Sequence, residues 1–178
     1  DCVRYWGDGF WELLAFGMQM CLIMVTGAIL ADSPALKRGL DRLSRVPATP
    51  RQAVVWMAFL SMTLCWVHWG LGMISSAFLV RRLALRHPRV DYRLLVAVAY
   101  WGMGALWHAG LSGSAPLLVA TPKHFMEAKI GLIPLSDTIF SSFYLALIAV
   151  TMGGLLVMAW AVYPAREQDA FRIDASIL

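Results

Sequence analysis

The chain has 178 residues, of which 60% are hydrophobic and 15% are charged, and its formal net charge is +4. A water-soluble domain needs more polar side chains to cover its surface, so this composition indicates a membrane protein. The cations lie between apolar stretches and form no single basic face, which argues against nucleic-acid binding. The three cysteines are odd in number and two lie in apolar stretches, so they indicate neither a disulfide framework nor a metal site.

The first predicted transmembrane helix covers residues 13–30. An aromatic cluster of Tyr5, Trp6 and Trp11 precedes it, as at a membrane interface, and the stretch is long enough to cross a bilayer. Gln19 lies within this stretch, where we expect it to bond to a neighbouring helix. The chain begins at Asp1 without the basic segment of a signal peptide, and we expect it to be a piece of a longer protein.

Residues 54–80 contain no charged side chain and lie between two short basic loops. Five basic residues against two acidic ones occupy residues 31–53, and five against one occupy residues 81–93. A single crossing would place these loops on opposite sides of the membrane, although short cytoplasmic loops normally carry the excess of Lys and Arg. A re-entrant hairpin that reverses at residues 68–72 places both loops in the cytoplasm, so we favour it over one tilted helix.

Residues 94–122 also lack charge, but their middle contains Gly110, Ser112, Gly113, Ser114 and Pro116. These residues should interrupt the helix, so residues 94–120 are predicted to be a broken transmembrane helix. Ser112 or Ser114 could cap the second half-helix, with Pro116 in its first turn, and the free N–H groups would suit a small anion. A kinked helix with a purely structural role is the alternative that these residues leave open.

Residues 138–163 are the last predicted transmembrane helix, with Trp160 and Tyr163 at its inner end. Residues 121–137 then lie outside, and residues 164–178 begin a cytoplasmic loop. Residues 1–178 are thus predicted to form one all-α, polytopic membrane domain, a single repeat unit with a re-entrant helical hairpin and a broken transmembrane helix. The chain contains no clear internal repeat, although transporters of this kind pair such a unit with an inverted copy.

The titratable groups deep in these stretches are His68 and His108, and both lie at predicted breaks. They could contact water or substrate, bond to neighbouring helices, or ligate a haem. No buried carboxylate or cation indicates a proton relay or a voltage sensor. No motif of a P-loop, a zinc protease, a serine hydrolase or a thiol redox site is present, so we predict no catalytic residue, no bound metal and no enzyme activity.

Tryptophans and glycines concentrate near the breaks. Four tryptophans either wall a cavity for an apolar acyl tail or pack between helices: Trp66, Trp69, Trp101 and Trp107. Four glycines are predicted to be close-packing contacts: Gly102, Gly104, Gly153 and Gly154.

Seven segments carry a recognisable pattern in a fixed order over nearly the whole chain, at residues 6–11, 13–20, 69–72, 112–118, 120–122, 131–134 and 137–138. Together they resemble the short-chain fatty acid transporter family of bacterial inner-membrane permeases. The resemblance implies a fold similar to the wider ion-transporter superfamily, in which each half carries a re-entrant hairpin and a broken helix. It also implies that the first helix and the second half of such a permease are absent here.

The resemblance further implies uptake of short monocarboxylates such as acetoacetate or butyrate, driven by a proton or sodium gradient, with no other cofactor. Eight residues are then predicted to form half of the substrate site: Ser112, Gly113, Ser114, His68, Trp69, Gly70, Gly72 and His108. The expected partners are a small carboxylate anion and membrane lipid, and a homo-oligomer is left open. The alternatives are a membrane-embedded haem or redox protein that uses His68 and His108, and a structural membrane subunit.

Overall fold

The computed structural model describes residues 2–31, 33–124, 126–165 and 169–174. These residues form helices and no β-strand, which confirms the all-α prediction. The helices are α1 (Cys2–Ala31), α2 (Pro34–Ser44), α3 (Pro50–Val67), α4 (Trp69–Arg86), α5 (Tyr92–Ala99), α6 (Ser114–Ala120), α7 (Glu127–Ile130) and α8 (Ser142–Val162). A π-helical turn, Gly102–Leu106, and a 3-10 turn, Trp107–Ala109, lie between α5 and α6.

Helix α3 lies at the centre of the bundle. It packs against α4, α5, α8 and the π-helical turn, and eight of its 18 residues are buried. The largest fully buried side chains come mainly from α3, α4 and α5, among them Met57, Met62, Leu79, Leu83 and Leu95. A helix that is apolar on most of its circumference belongs either in a protein core or in a membrane, and the burial of α3 shows that it is the core helix of this bundle.

Helix α8 is apolar on all sides but is hardly buried. Of its described residues Ala159 alone is buried, whereas Phe143 is 76% and Val150 is 73% exposed. Two stretches of the described chain are long and apolar enough to cross a membrane, Tyr92–Ala120 and Ser142–Val162. Exposed apolar surface of this extent is favourable in hydrocarbon and not in water, so it indicates a membrane protein. Residues 13–30 lie within the continuous helix α1, and their crossing of the membrane stays a prediction.

The chain reverses direction at His68, the one residue between α3 and α4. These two helices share the most extensive contact of any pair in the described chain. A Cβ atom on Gly72 would lie 2.6 Å from the backbone nitrogen of Cys65, so glycine is what allows the helices to approach beside the tip. A single straight helix over residues 54–80 is therefore excluded.

The hairpin brings the two basic loops to one end of the bundle. Arg82 Nε lies 3.0 Å from a carboxylate oxygen of Asp41, so the end of α4 contacts α2. The guanidinium of Arg51 lies 4.8 Å from the ring centroid of Trp160, which places the last turns of α8 at the same end. We call this end, defined by these four residues, the basic end.

Helix starts at the basic end are capped by side chains. Thr49 Oγ1 accepts a hydrogen bond from the N–H of Gln52 at 3.2 Å, and Pro50 is the first residue of α3. Asp91 Oδ1 accepts from the N–H of Leu94 at 2.9 Å and caps α5. Both caps satisfy backbone donors that would otherwise have no partner in the first turn.

His87, which follows α4 at the basic end, predicts a pH dependence of stability. Burial lowers the pKa of its imidazole below the usual 6.5. A hydrogen bond to the Pro47 backbone acts in the opposite direction and raises the pKa, whereas the positive charge of Arg86 lowers it further. The unfolded chain therefore takes up this proton at a higher pH than the folded chain, and the free energy of unfolding falls as pH drops below 6.5. Between about pH 7 and 5.5, the melting temperature of the wild type should fall more steeply than that of His87→Gln. Equal slopes would contradict this assignment.

Candidate functional site

His68 shapes the tip of the hairpin. Its Nδ1 accepts a hydrogen bond from the N–H of Leu71 at 3.4 Å and caps α4, while its own N–H donates to the carbonyl of Leu64 at 2.9 Å and ends α3. The imidazole stacks on the ring of Trp69, with centroids 6.3 Å apart, and is exposed. Because Nδ1 is an acceptor, the neutral ring carries its proton on Nε2, which is available as a donor.

The stretch Tyr92–Ala120 is interrupted as its glycines and serines predict. Residues 110–113 are not helical, and α6 begins at Ser114 with Pro116 in its first turn. The N-cap of α6 is Gly113, without a side-chain capping bond, so the prediction that Ser112 or Ser114 caps this helix is wrong. The physical reason is that Ser112 Oγ accepts a hydrogen bond from the hairpin, and Ser114 is already the first helical residue.

Two hydrogen bonds join the hairpin tip to the break in the broken helix. The N–H of Trp69 donates to Ser112 Oγ at 3.0 Å. The N–H of Leu111 donates to the carbonyl of Trp66 at 2.8 Å. The hairpin tip and the break thus supply hydrogen-bond partners for each other's free backbone groups. Backbone that is not helical is stable in an apolar environment only when its polar groups are paired in this way.

Glycine allows the close approach of these segments. A Cβ atom on Gly110 would lie 2.1 Å from the carbonyl oxygen of Trp66, and one on Gly102 would lie 2.1 Å from the carbonyl oxygen of Ser61. The close-packing prediction is therefore confirmed for Gly102. It is wrong for three other glycines, whose Cβ positions have no described atom within 4 Å: Gly104, Gly153 and Gly154.

Ser61 is a site-supporting residue that its sequence context did not reveal. Its fully buried hydroxyl donates to the carbonyl of Ala99 at 2.6 Å and accepts from the N–H of Gly102 at 3.0 Å. The Ala99 carbonyl and the Gly102 N–H lie on either side of the junction between α5 and the π-helical turn. A serine in an apolar stretch is the available signal, but its partner lies 38 residues away and depends on the fold.

The predicted site residues differ in accessibility. His68, Ser114 and His108 are exposed, while Trp69 and Ser112 are partly buried. Three glycines are buried, Gly70, Gly72 and Gly113, and the last two closely approach neighbouring atoms. One hydrogen bond joins Trp69 directly to Ser112, whereas no described contact joins the two histidines. His108 packs edge-on against Trp107, with centroids 6.1 Å apart.

The four tryptophans near the breaks are all partly buried: Trp66, Trp69, Trp101 and Trp107. The indole nitrogen of Trp66 is buried without a hydrogen-bond partner among the described residues. No Asp, Glu, Lys or Arg lies within residues 54–80 or 94–122. The described residues also contain no group of three or more His, Cys, Asp or Glu side chains placed to hold a metal ion. The surroundings of the break are therefore aromatic, apolar and uncharged.

These features define a class, that of α-helical membrane proteins with helices interrupted inside apolar stretches. The family model described as short chain fatty acid transporter matches residues 1–178. The chain belongs to the short-chain fatty acid transporter family, as the resemblance of its sequence segments implied.

Two curated relatives carry the name "Putative short-chain fatty acid transporter". The protein from Escherichia coli (strain K12) is 43% identical over 178 residues, which cover 99% of this chain and 40% of the relative. The protein from Haemophilus influenzae (strain ATCC 51907 / DSM 11121 / KW20 / Rd) is 39% identical over 170 residues, which cover 92% of this chain and 37% of the relative. No solved structure matches the chain significantly. Neither the family nor these names support the haem or redox alternative.

Proposed function

We propose that this chain is part of a secondary transporter that takes up short-chain fatty acids or similar small monocarboxylates across the bacterial inner membrane. Helices α3 and α4 form a re-entrant hairpin, and residues 94–120 form a broken transmembrane helix. Uptake is coupled to a proton or sodium gradient and involves no catalytic step. The complete carrier is needed for transport, because the chain spans about 40% of the length of the curated relatives it matches.

The membrane orientation follows from the charges. The basic end carries the two loops that are rich in Lys and Arg, so it lies in the cytoplasm. The hairpin then enters and leaves the membrane from that side, and its tip at His68 reaches towards the bilayer midplane. In many transporters the solute is held at this depth by half-helices and unwound backbone.

The contact between the hairpin tip and the break carries the proposal. Ser112 Oγ accepts from Trp69, and no described acceptor takes the proton of its own hydroxyl, so this proton is available to a substrate oxygen. The exposed hydroxyl of Ser114 lies two residues further along the chain. A carrier must bind its substrate well enough to take it up and must still release it on the other side of the membrane. Neutral hydrogen-bond donors meet this requirement for a carboxylate.

The apolar and uncharged surroundings favour a monocarboxylate with a short tail. Trp69 and Trp107 are partly buried and offer aromatic surface to an acyl chain. A second carboxylate on the substrate would have no cation to pair with, and burying such a charge is costly. The site should therefore reject dicarboxylates of similar length.

Ser114 tests the site directly. In the complete protein, Ser114→Ala should raise the apparent KM for a short monocarboxylate about tenfold or more, because a hydrogen bond to a charged group contributes about 1.5–3 kcal/mol. The matched control is Ser142→Ala, which changes another exposed serine at the first position of a helix, α8. Uptake of a radiolabelled monocarboxylate into vesicles is the measurement.

The double variant Ser112→Ala/Ser114→Ala extends this test, since both proposed hydroxyl donors are then removed. An unchanged KM in a folded double variant would rule out these hydroxyls as substrate ligands. A KM that rises equally in Ser142→Ala would show a general effect of serine removal and would also contradict the site.

A further inference from the structure

A cleft at the basic end lies between α2 and α4 and shares no residue with the candidate substrate site. Its volume is about 270 Å³, and it is lined by Asp41, Ser44, Arg82, Leu85 and Arg86. It combines two arginines, one carboxylate and one exposed leucine, which is 51% exposed. None of these residues has a part in the proposed transport step.

The hydrogen bonds of the cleft hold its charges in place. Arg82 Nε lies 3.0 Å from Asp41, and the Ser44 hydroxyl donates to the Asp41 carbonyl at 2.9 Å. The Arg82 side chain is 23% exposed, and its NH1 group is buried without a hydrogen-bond partner in the described chain. Arg86 is exposed and has no salt bridge among the described residues. Two guanidinium groups against one carboxylate leave one positive charge, which complements a monoanion.

The charges of the flanking loops put this cleft at the cytoplasmic side of the membrane, as argued for the basic end. In α2, Leu40 is buried and Leu43 is partly buried against the bundle, whereas Arg38 and Arg42 are exposed on the other side. The apolar face of α2 is thus covered by the bundle, and its exposed face presents basic side chains beside the cleft. Basic pockets between helices on the cytoplasmic side commonly bind lipid headgroups.

We propose that the cleft binds the phosphodiester headgroup of an anionic phospholipid such as phosphatidylglycerol. The guanidinium of Arg86 donates to the phosphate oxygens, Arg82 provides the second positive charge, and Leu85 contacts the acyl region. A phosphodiester carries one negative charge and matches the net charge of the cleft. Free phosphate lacks an apolar part that Leu85 could contact. The inference depends on the basic end lying at the membrane surface and is independent of the transported substrate.

The test uses the purified full-length protein in detergent, titrated with short-chain phosphatidylglycerol or phosphatidylcholine and followed by native mass spectrometry. The wild type should prefer phosphatidylglycerol, and Arg86→Gln should weaken that binding about tenfold, as expected for a lost charge-assisted hydrogen bond. Arg81→Gln is the matched control, because Arg81 is an exposed arginine of the same helix that does not line the cleft. Leu85→Ser keeps every charge and should also weaken lipid binding.

Three outcomes would overturn the proposal. Equal losses in Arg81→Gln and Arg86→Gln would show attraction to the whole basic surface without a defined site. Equal binding of the two lipids by the wild type would remove the headgroup specificity. Displacement of phosphatidylglycerol by inorganic phosphate at a comparable concentration would show a free-phosphate site, in which the acyl contact of Leu85 has no role.

Discussion

Gly110→Ala should abolish uptake and lower the melting temperature, whereas Gly104→Ala should be tolerated. A Cβ atom on Gly110 would lie 2.1 Å from the carbonyl oxygen of Trp66 and 2.7 Å from its carbonyl carbon. These are backbone atoms of the hairpin, so the strain cannot be relieved by turning a side chain. Overpacking of this kind costs about 1–3 kcal/mol, and losing the hydrogen bond from Leu111 to Trp66 adds about 1 kcal/mol.

Gly104 is the matched control for this substitution. It lies in the same interrupted stretch, and no described atom lies within 4 Å of its Cβ position. Melting temperature in detergent and uptake into vesicles, measured on both variants, separate a local clash from a general intolerance of alanine. If Gly110→Ala kept the wild-type melting temperature and KM, the contact between hairpin tip and break would be refuted, and with it the proposed substrate site.

Sequence alone predicts local features such as an interruption of a helix, because these depend on residues close together along the chain. The break at residues 110–113 follows from glycine and proline chemistry, which disfavours helix whatever surrounds it. The joint between α3 and α4 at His68 lies where the charges of the two basic loops predict a re-entrant turn, and the re-entrant topology itself stays a prediction. Neither argument needed knowledge of any contact between distant residues.

The partner of each polar group could not be predicted in this way. Ser112 has the residue type and position of a helix cap, but its hydroxyl contacts Trp69, 43 residues away along the chain. A tertiary contact therefore replaced the local one that the capping preference predicts. His124 is a second example: it lies in a segment that looked like a plain outer loop, yet it is 8% exposed. Its Nδ1 accepts from Met126 and its Nε2 lies 3.1 Å from the carbonyl oxygen of Gly131, so it organises this segment.

The π-helical turn Gly102–Leu106 also had no signal in the sequence, because a glycine pair is compatible with close packing in a regular helix. The position of this turn depends on Ser61, whose hydroxyl donates to the carbonyl of Ala99 and accepts from the N–H of Gly102. Turns of this kind occur often at functional sites. This one lies between the first part of the broken helix and its break, so it helps to set where the break meets the hairpin tip.

Ser61→Ala should therefore destabilise the protein and raise the KM for the carboxylate. The substitution removes a hydrogen-bond partner from the carbonyl of Ala99 and from the N–H of Gly102, and the methyl group that remains can supply neither bond. Each buried polar group left without a partner costs about 1–3 kcal/mol, and no water is at hand in a bilayer interior to replace it. The KM should rise because a relaxed turn no longer holds Gly110 against Trp66.

Ser76→Ala is the matched control for Ser61→Ala. Ser76 is 2% exposed on the other arm of the hairpin, but its hydroxyl has no hydrogen-bond partner in the described chain. Removing an unsatisfied buried hydroxyl is close to neutral or stabilising, so its melting temperature should equal or exceed that of the wild type. If both variants lost the same stability, the loss would reflect serine packing and not the two bonds of Ser61. If Ser61→Ala lowered stability with an unchanged KM, the π-helical turn would have a structural role only.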